Sequence, residues 1–169
     1  MKPVALFLLL LAGCGLPTPD DTKCLRGTLE ADLDQTSPFT GPGVVDGAIP
    51  PGRYVIAATY LQGKPTQQAM SLFQSLVDPI TRSLPTTEGL IGARFGNSNT
   101  CLTARTLSVW KDEASMYRFV TSASHAAAMG KTSELSRGGS VTTHWVDTEL
   151  GATFDKAAQQ LAADDGPLH

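Results

Sequence analysis

Four side chains in the sequence have the chemistry expected of a ligand site: His125, Trp110, Arg94 and His144. His125 follows a serine-rich segment, and its imidazole could act as an acid–base group or bind haem iron, unless it only caps a helical turn. Trp110 could form a wall on which a ligand stacks, or it could pack in the core. Arg94 could bind a carboxylate, and His144 could either share a surface with Trp110 or lie in solvent. The sequence thus predicts His125 as the catalytic candidate and the other three as ligand-binding candidates.

The sequence lacks the motifs of several common enzyme classes. It contains no Gly-x-Ser-x-Gly, no P-loop, no Gly-x-Gly-x-x-Gly and no His-Glu-x-x-His. It has three histidines, one of them the last residue, His169, so a three-histidine metal site is not expected. The net charge of −3 and the absence of a basic cluster argue against a nucleic-acid partner. We therefore predict no metal and no resident cofactor, with haem at His125 as the alternative.

Hydrophobic periodicity and turn residues predict the elements that position these side chains. Their order is strand 53–61, a helix capped by Thr66, strand 89–96, strand 101–110, a helix capped by Asp112, a short helical segment at His125, strand 140–148 and a terminal helix over 153–163. The first helix is expected to kink or end near Asp78, because Pro79 has no N–H. This order predicts an α+β, ferredoxin-like βαββαβ fold with four antiparallel strands and two helices on one face.

The two faces of the predicted sheet depend on the hairpin between its second and third strands. If the hairpin pairs about a turn at 97–100, Phe95 lies opposite Cys101. One face is then apolar enough to receive both helices, and the other is mixed and carries Arg94 together with Trp110. A slip of one residue would exchange these sets. We therefore predict a mixed face that no helix covers and that receives either a second subunit or a ligand.

The N-terminus has the features of a bacterial lipoprotein signal. Lys2 precedes an apolar run over 4–11 that is too short to span a bilayer, and small residues then lead to Cys14. The string LAGC at 11–14 resembles a lipobox, in which the chain is cut before the cysteine and the thiol is acylated, for example with palmitate; an ordinary secretory signal is the alternative. We expect a lipid-anchored protein of the cell envelope. Because Gly15 is not the aspartate that resembles an inner-membrane retention signal, the expected location is the outer membrane, facing the periplasm, if the cell has two membranes.

Composition divides the chain into four parts. They are a signal peptide over 1–13, a lipidated tether and extended arm over 14–52, the ferredoxin-like domain over 53–163 and a disordered tail over 164–169. Proline and glycine interrupt any regular period in the arm. With Cys14 acylated, Cys24 and Cys101 remain as an even pair in an oxidising compartment. We predict a disulfide between them, with two unpaired thiols as the alternative.

The stretch from the third strand to the second helix carries a resemblance to a known family. The matching residues are Trp110, Asp112, Glu113, Phe119, Ser122 and His125. With the element order over about 53–147, they resemble the antibiotic-biosynthesis-monooxygenase-like group of dimeric α/β-barrel proteins. The resemblance implies a homodimer whose sheets pair face to face. It also implies cofactor-independent oxidation of aromatic polyketides, or haem binding and degradation, in some members, and no known activity in many.

The expected envelope location differs from that of the usual cytoplasmic enzymes of this group. We therefore expect a membrane-anchored module that binds a small molecule or has a structural role, and that forms a homodimer. The alternative is a cofactor-independent monooxygenase or a haem-handling enzyme, with its cleft on the mixed face of the sheet.

Overall fold

The computed structural model describes residues 18–164 of the 169-residue chain. The predicted signal peptide, the predicted lipidation site Cys14 and positions 165–169 of the predicted tail lie outside the described residues. Between residues 18 and 164, no helix combines the length and the apolar character that a membrane crossing needs.

The described residues form one four-stranded antiparallel sheet and five α-helices. The strands are β1 (Arg53–Gly63), β2 (Leu90–Ser98), β3 (Thr103–Trp110) and β4 (Ser136–Thr148). The helices are α1 (Gln67–Ser83), α2 (Glu113–Val120), α3 (Ala123–Met129), α4 (Thr132–Leu135) and α5 (Phe154–Ala163). The strand order is β2-β3-β1-β4. This order confirms the predicted ferredoxin-like fold, with α1 crossing from β1 to β2 and the α2–α4 segment crossing from β3 to β4.

The two long crossover helices begin at the predicted cap residues. The side chain of Thr66 accepts a hydrogen bond from the backbone N–H of Ala69, and that of Asp112 accepts one from Ser115. Hydrogen bonding at its own first turn lowers the pKa of Asp112 below the usual carboxyl value. Side-chain capping at both starts supports the predicted positions of these helices.

Helix α1 runs through Pro79 to Ser83 and does not end at Asp78. The hydroxyl of Thr81 lies within hydrogen-bond distance of the carbonyls of Val77 (3.1 Å) and Asp78 (3.0 Å). These side-chain bonds add local support beside the backbone bond that proline removes, so the helix continues for another turn.

The register of the β2–β3 hairpin differs from the prediction. Phe95 pairs with Thr106, not with Cys101, and Arg94 pairs with Leu107. Because the shift is an odd number of residues, the faces of β2 are exchanged relative to β3. Arg94 therefore lies on the face opposite to Trp110, and its predicted place beside that tryptophan is wrong.

A distant carboxylate explains the observed hairpin. Asp32 accepts hydrogen bonds from the backbone N–H groups of Asn99 (3.0 Å) and Thr100 (2.9 Å) and from the hydroxyl of Ser98 (2.6 Å). These bonds keep the pKa of Asp32 below its ordinary value. They place the turn at residues 99–102, with Leu102 at a positive φ of 49°. The hairpin sequence alone contains no sign of this partner, which lies more than 60 residues away.

Helices α1 and α2 cover one face of the sheet, here called the helix face. Its members alternate along β1, β2 and β3 and include Val55, Ala57, Ala93, Ala104, Thr106, Ser108 and Trp110. The opposite face, here called the arm face, includes Ile56, Ala58, Tyr60, Arg105, Leu107 and Val109. The β3 members of the mixed set that was predicted to remain uncovered thus lie beneath the helices, whereas Arg94 of β2 lies on the arm face.

The arm face is covered by the chain's own arm and by α5. Leu33 and Ile49 of the arm pack with Phe154 and Leu161 of α5 over the apolar centre of this face. Glycines on β2 permit this close approach, since a Cβ at Gly96 would lie 2.8 Å from a methyl group of Leu33. The prediction that one sheet face lacks a cover within the chain is therefore wrong. Segment 18–52 consists of turns, bends and isolated bridges, and its apolar residues Leu33 and Ile49 are part of the core.

Covalent and ionic contacts fix the arm in place. The predicted disulfide between Cys24 and Cys101 is confirmed, with a Cα–Cα distance of 5.6 Å. Glu30 and Arg105 form an ion pair (Nε–Oε2, 2.8 Å) whose side chains are 1% and 2% exposed. Arg105 also donates to the arm carbonyls of Arg26 (3.1 Å) and Thr28 (2.7 Å), so its charge is surrounded by acceptors. A buried pair needs such additional bonds to offset its loss of hydration.

Candidate ligand cavity

A cavity of about 290 Å³ lies between α1 and the helix face of the sheet. Of the 17 residues of α1, only Ala69 is fully buried, although its apolar side chains form one continuous stripe. The strand beneath carries the small side chains of Ala104, Thr106 and Ser108, which remain half-exposed. Small residues on the strand opposite large ones on the helix leave space between the two layers. This cavity is the candidate ligand site.

The lining of the cavity is mainly apolar and partly aromatic. Its apolar side chains are Leu61, Phe73, Val77, Ile80, Leu84, Phe95, Trp110 and Phe119. Its polar side chains are few and include those of Thr59, Gln74, Thr81, Thr106, Ser108 and His125. This pattern, apolar walls with a few polar groups, is typical of small-molecule sites, and the volume is at the lower end of their range of roughly 300–1,000 Å³.

Trp110 and His125 meet in this cavity through Phe119. The rings of Trp110 and Phe119 are 5.2 Å apart, and those of Phe119 and His125 are 5.0 Å apart. The indole N–H of Trp110 donates to the hydroxyl of Ser108 (2.9 Å), so the indole is held in one orientation. The three rings form a rigid end wall on which a planar group could stack.

The environment of His125 favours its neutral form. Its Nδ1 lies 3.1 Å from the carbonyl oxygen of Val120. Because a carbonyl oxygen only accepts, Nδ1 carries the proton and Nε2 is the acceptor of the neutral ring. Burial lowers the pKa of His125 below its usual value, and the bond to Val120 opposes this effect. The residue bonds across the break between α2 and α3, as the capping alternative expects, and it also lines the cavity.

Arg94 lies outside the cavity, on the arm face. Its guanidinium packs between the rings of Phe39 (4.9 Å) and Phe154 (4.6 Å) and donates to the backbone carbonyl of Gln35 (3.3 Å). Burial lowers the pKa of Arg94. Arg94 therefore stabilises the packing of the arm against α5 through cation–π contacts, and it lies away from Trp110.

His144 is on the helix face, as expected, but at the exposed edge strand β4. Its ring makes an edge contact with the ring of Tyr117 (5.9 Å), and its Nε2 lies 3.8 Å from a carboxylate oxygen of Glu113. Strand β1 separates it from β3, which carries Trp110. His144 is therefore not among the residues that line the cavity.

Most residues of the cavity wall are not predicted as site residues from the sequence. In the sequence, Phe73, Val77 and Ile80 fit the apolar stripe of a helix, and Thr106 and Ser108 alternate along a strand, and neither pattern by itself predicts a cavity. One signal was available in the sequence. The small residues Ala104, Thr106 and Ser108 alternate on β3 and face a helix with large side chains, a pattern that predicts incomplete packing.

Haem does not fit this cavity. A porphyrin is larger than the 290 Å³ available, and its propionates would need cations. Arg105 lies on β3, the strand beneath the cavity, but its guanidinium turns to the arm face and is paired there with Glu30. Among the described residues, no three or more His, Cys, Asp and Glu side chains are grouped so that they could hold a metal ion.

Sequence comparisons find no family model that matches the chain and no curated protein sequence that resembles it. Similar solved structures do exist. A candidate monooxygenase from Fusobacterium nucleatum superimposes with a TM-score of 0.52 at 12% identity, over 69% of this chain and 50% of that chain. A dimeric ferredoxin-like protein of unknown function from Jannaschia sp. CCS1 gives 0.47 at 16% identity, over 56% and 98% of the two chains. An antibiotic biosynthesis monooxygenase gives 0.47 at 8% identity, over 54% and 95%.

These likenesses show the fold alone, because all the identities are low. The chain has the ferredoxin-like α+β fold that its sequence predicts, and this fold is shared with monooxygenase-like proteins. The fold supports many unrelated functions, so what the chain does must be argued from its cavity.

Proposed function

We propose that this chain is a lipid-anchored envelope protein whose ferredoxin-like domain binds a small, mainly apolar molecule between α1 and the sheet. One observation carries the proposal: the 290 Å³ cavity, walled by Trp110, Phe119 and the apolar stripe of α1. Helix α1 fully buries one of its seventeen residues, so it makes few close contacts with the sheet and gains little packing energy from them. A ligand that fills the space between α1 and the sheet would supply the missing contacts.

The cavity favours binding over catalysis. Besides Arg105, whose guanidinium is paired with Glu30 on the arm face, the titratable side chain among the described lining residues is His125. Acid–base chemistry usually pairs this group with a second, oppositely acting one, and the nearby Ser108 is already occupied by the indole of Trp110. We therefore propose a binding module and not the monooxygenase or haem-degrading alternative.

Ligand binding can be tested with the cavity's own tryptophan. The chain contains two tryptophans, Trp110 and Trp145, and the second lies on the arm face. In a Trp145→Phe background, apolar probes such as naphthol or dodecanol should change the fluorescence of Trp110 and raise the melting temperature. Ala104→Phe, which fills the cavity, should abolish both responses, whereas Ala127→Phe at an exposed position of α3 should retain them. Absence of any response to a panel of apolar probes would overturn the proposal.

The anchor is proposed from the lipobox alone and has its own test. Cys14→Ser should release the protein from membranes into the soluble fraction of the envelope, while the unchanged chain stays with the membrane. Membrane association that persists in the variant would contradict acylation as the tether.

The proposed homodimer needs a surface other than the two faces of the sheet, because both are covered within the chain. The arm and α5 occupy the arm face, so two sheets cannot pair there without displacing them. The edge strand β4 carries Val146 (47% exposed), and Tyr117 of α2 (50%) contacts His144 of the same strand, so this edge presents exposed apolar side chains. Sedimentation of the chain at micromolar concentration, compared with a Val146→Lys variant, tests this pairing. A wild-type monomer would contradict the dimer.

A further inference from the structure

A second cavity of about 320 Å³ continues the first one along α1. The two share five lining residues, Leu61, Phe73, Gln74, Asn97 and Ala104, so they adjoin along this wall. The second cavity ends among the β2–β3 turn, the start of α1 and Leu135. Together they form a long channel, here called the α1 channel, which suits an extended molecule better than a compact one.

The α1 channel changes in polarity along its length. The deep end is walled by Trp110, Phe119 and Ile80, whereas Asn99 and Lys64 line the outer end and Asn97 lies on the wall that the two cavities share. An apolar chain would be desolvated at the deep end, and a polar head group would meet hydrogen-bonding side chains at the outer end. This gradient is that of an amphipathic ligand.

Lys64 provides the charge at the outer end. Its ammonium donates to the backbone carbonyl of Ser133 (2.6 Å), and it takes no part in the ion pairs of the described residues. The acidic groups nearby are already engaged: Glu134 with Lys131 (2.6 Å) and Asp32 with the hairpin turn. Helix α1 also directs its positive, N-terminal end toward this opening. The head group that fits is an anion.

The outer end of the channel lies on the side from which the tether leaves the domain. Cys101, in the turn that lines the opening, is bonded to Cys24, and Cys14 precedes Cys24 by ten residues. Ten extended residues span at most about 35 Å. An acylated Cys14 would therefore keep the opening within that distance of the membrane surface, where single-chain lipids are found.

We propose that the α1 channel binds a single-chain anionic amphiphile, a fatty acid or a lysophospholipid, with the chain against Trp110 and the head group at Lys64. This inference rests on the proposed function, since it names the ligand class of the same cavity. Burial in the channel binds the alkyl chain of the ligand, and the charge of Lys64 selects its head group. A fatty acid and a lysophospholipid share this chemistry, since each has an alkyl chain that ends in an anionic group.

The test uses the full chain with Cys14→Ser and Trp145→Phe, and follows quenching of Trp110 by brominated analogues of dodecanoate, lysophosphatidylglycerol and dodecanol. We expect all three to quench, with either anion binding about 3- to 10-fold more tightly than the neutral alcohol, the gain of one charge-assisted hydrogen bond. The tighter of the two anions identifies the source. Lys64→Gln should remove this advantage without weakening dodecanol, and Lys131→Gln, at an exposed lysine outside the lining, should leave it unchanged.

The outcomes separate this inference from the proposed function. Equal affinity for acid and alcohol, or an advantage that survives Lys64→Gln, overturns the assignment of the head group and leaves a small-molecule cavity. Quenching by brominated naphthol but by none of the alkyl probes overturns the amphiphile and keeps the cavity. No quenching by any probe overturns both. The melting temperature of each variant without ligand serves as the control for folding.

Discussion

The two faces of one sheet are covered in opposite ways. On the arm face, α5 buries four of its ten residues, a disulfide fixes the arm, and an ion pair is enclosed with its acceptors. On the helix face, α1 is almost twice as long and buries one residue. The comparison indicates that the stability of the domain comes mainly from the arm face. That stability permits the helix face to remain incompletely packed, as a ligand cavity requires.

Truncating one phenylalanine on each face tests this difference most directly. Phe154→Ala should lower the free energy of unfolding by about 3–5 kcal/mol, because the side chain is 1% exposed and its removal leaves a void. Phe73→Ala should cost less than half as much, since its ring already borders empty space. Urea denaturation of both variants gives the two values. Equal losses would contradict the division between the faces.

The buried ion pair should be nearly as important as the phenylalanine. Glu30→Ala leaves the charge of Arg105 without its carboxylate and should cost about 3–5 kcal/mol. The matched control is Asp21→Ala, which removes an exposed partner of Arg137 and should cost about 0–1 kcal/mol. Denaturant midpoints of the two variants provide the comparison, and similar shifts would show that burial does not determine the effect.

Loss of the disulfide should have the next largest effect. Replacing Cys24 and Cys101 together by alanine should lower stability by about 2–4 kcal/mol, because the bond closes a loop with a sequence separation of 77. A reducing agent should produce the same shift in the wild-type melting temperature and none in the double variant. A wild type that does not respond to reduction would contradict a stabilising role.

The smallest expected effect is the pH response of His125. Burial lowers its folded pKa below the ordinary value of 6.5, so the unfolded chain binds the proton more readily. The contribution of the neutral ring to stability is therefore complete above pH 6.5 and is lost as the pH falls toward the folded pKa. Because the ring is partly exposed, the change should stay below about 1 kcal/mol. Melting temperatures between pH 5 and 7.5 should fall less steeply in His125→Gln than in the wild type.

The sequence predicts the order of elements well because each one carries local signals. The caps at Thr66 and Asp112 and the alternation of β3 depend on neighbouring residues alone. The faces of the sheet could not be predicted in the same way. Their register depends on Asp32, a residue of the arm that meets the hairpin only after the chain has folded. Because the turn was predicted in the wrong register, Arg94 was assigned to the wrong face of the sheet.

The candidate site was predicted in part for the same reason. Trp110 and His125 come together because they flank one short helix, so their proximity follows from local spacing. Phe73 of α1 enters the same cavity and Lys64 the adjoining one, and the position of both relative to β3 depends on the distance between α1 and the sheet. A local sequence pattern does not predict the distance between a helix and the sheet beneath it. The small residues of β3 indicate only that the packing there is incomplete.

The arm also determines when the domain can complete its folding. It is the first part of the described chain to be synthesised, yet its partners come late: Glu30 bonds to Arg105, 75 residues on, and Arg26 bonds to the carbonyl of Asp164, 138 residues on. Such long-range contacts have a high entropic cost of closure and slow the folding of a chain. The contacts of the arm are therefore complete only after α5 has been made. We expect a chain that lacks α5 to expose the part of the arm face that Phe154 and Leu161 cover, and so to be less stable and more prone to aggregate.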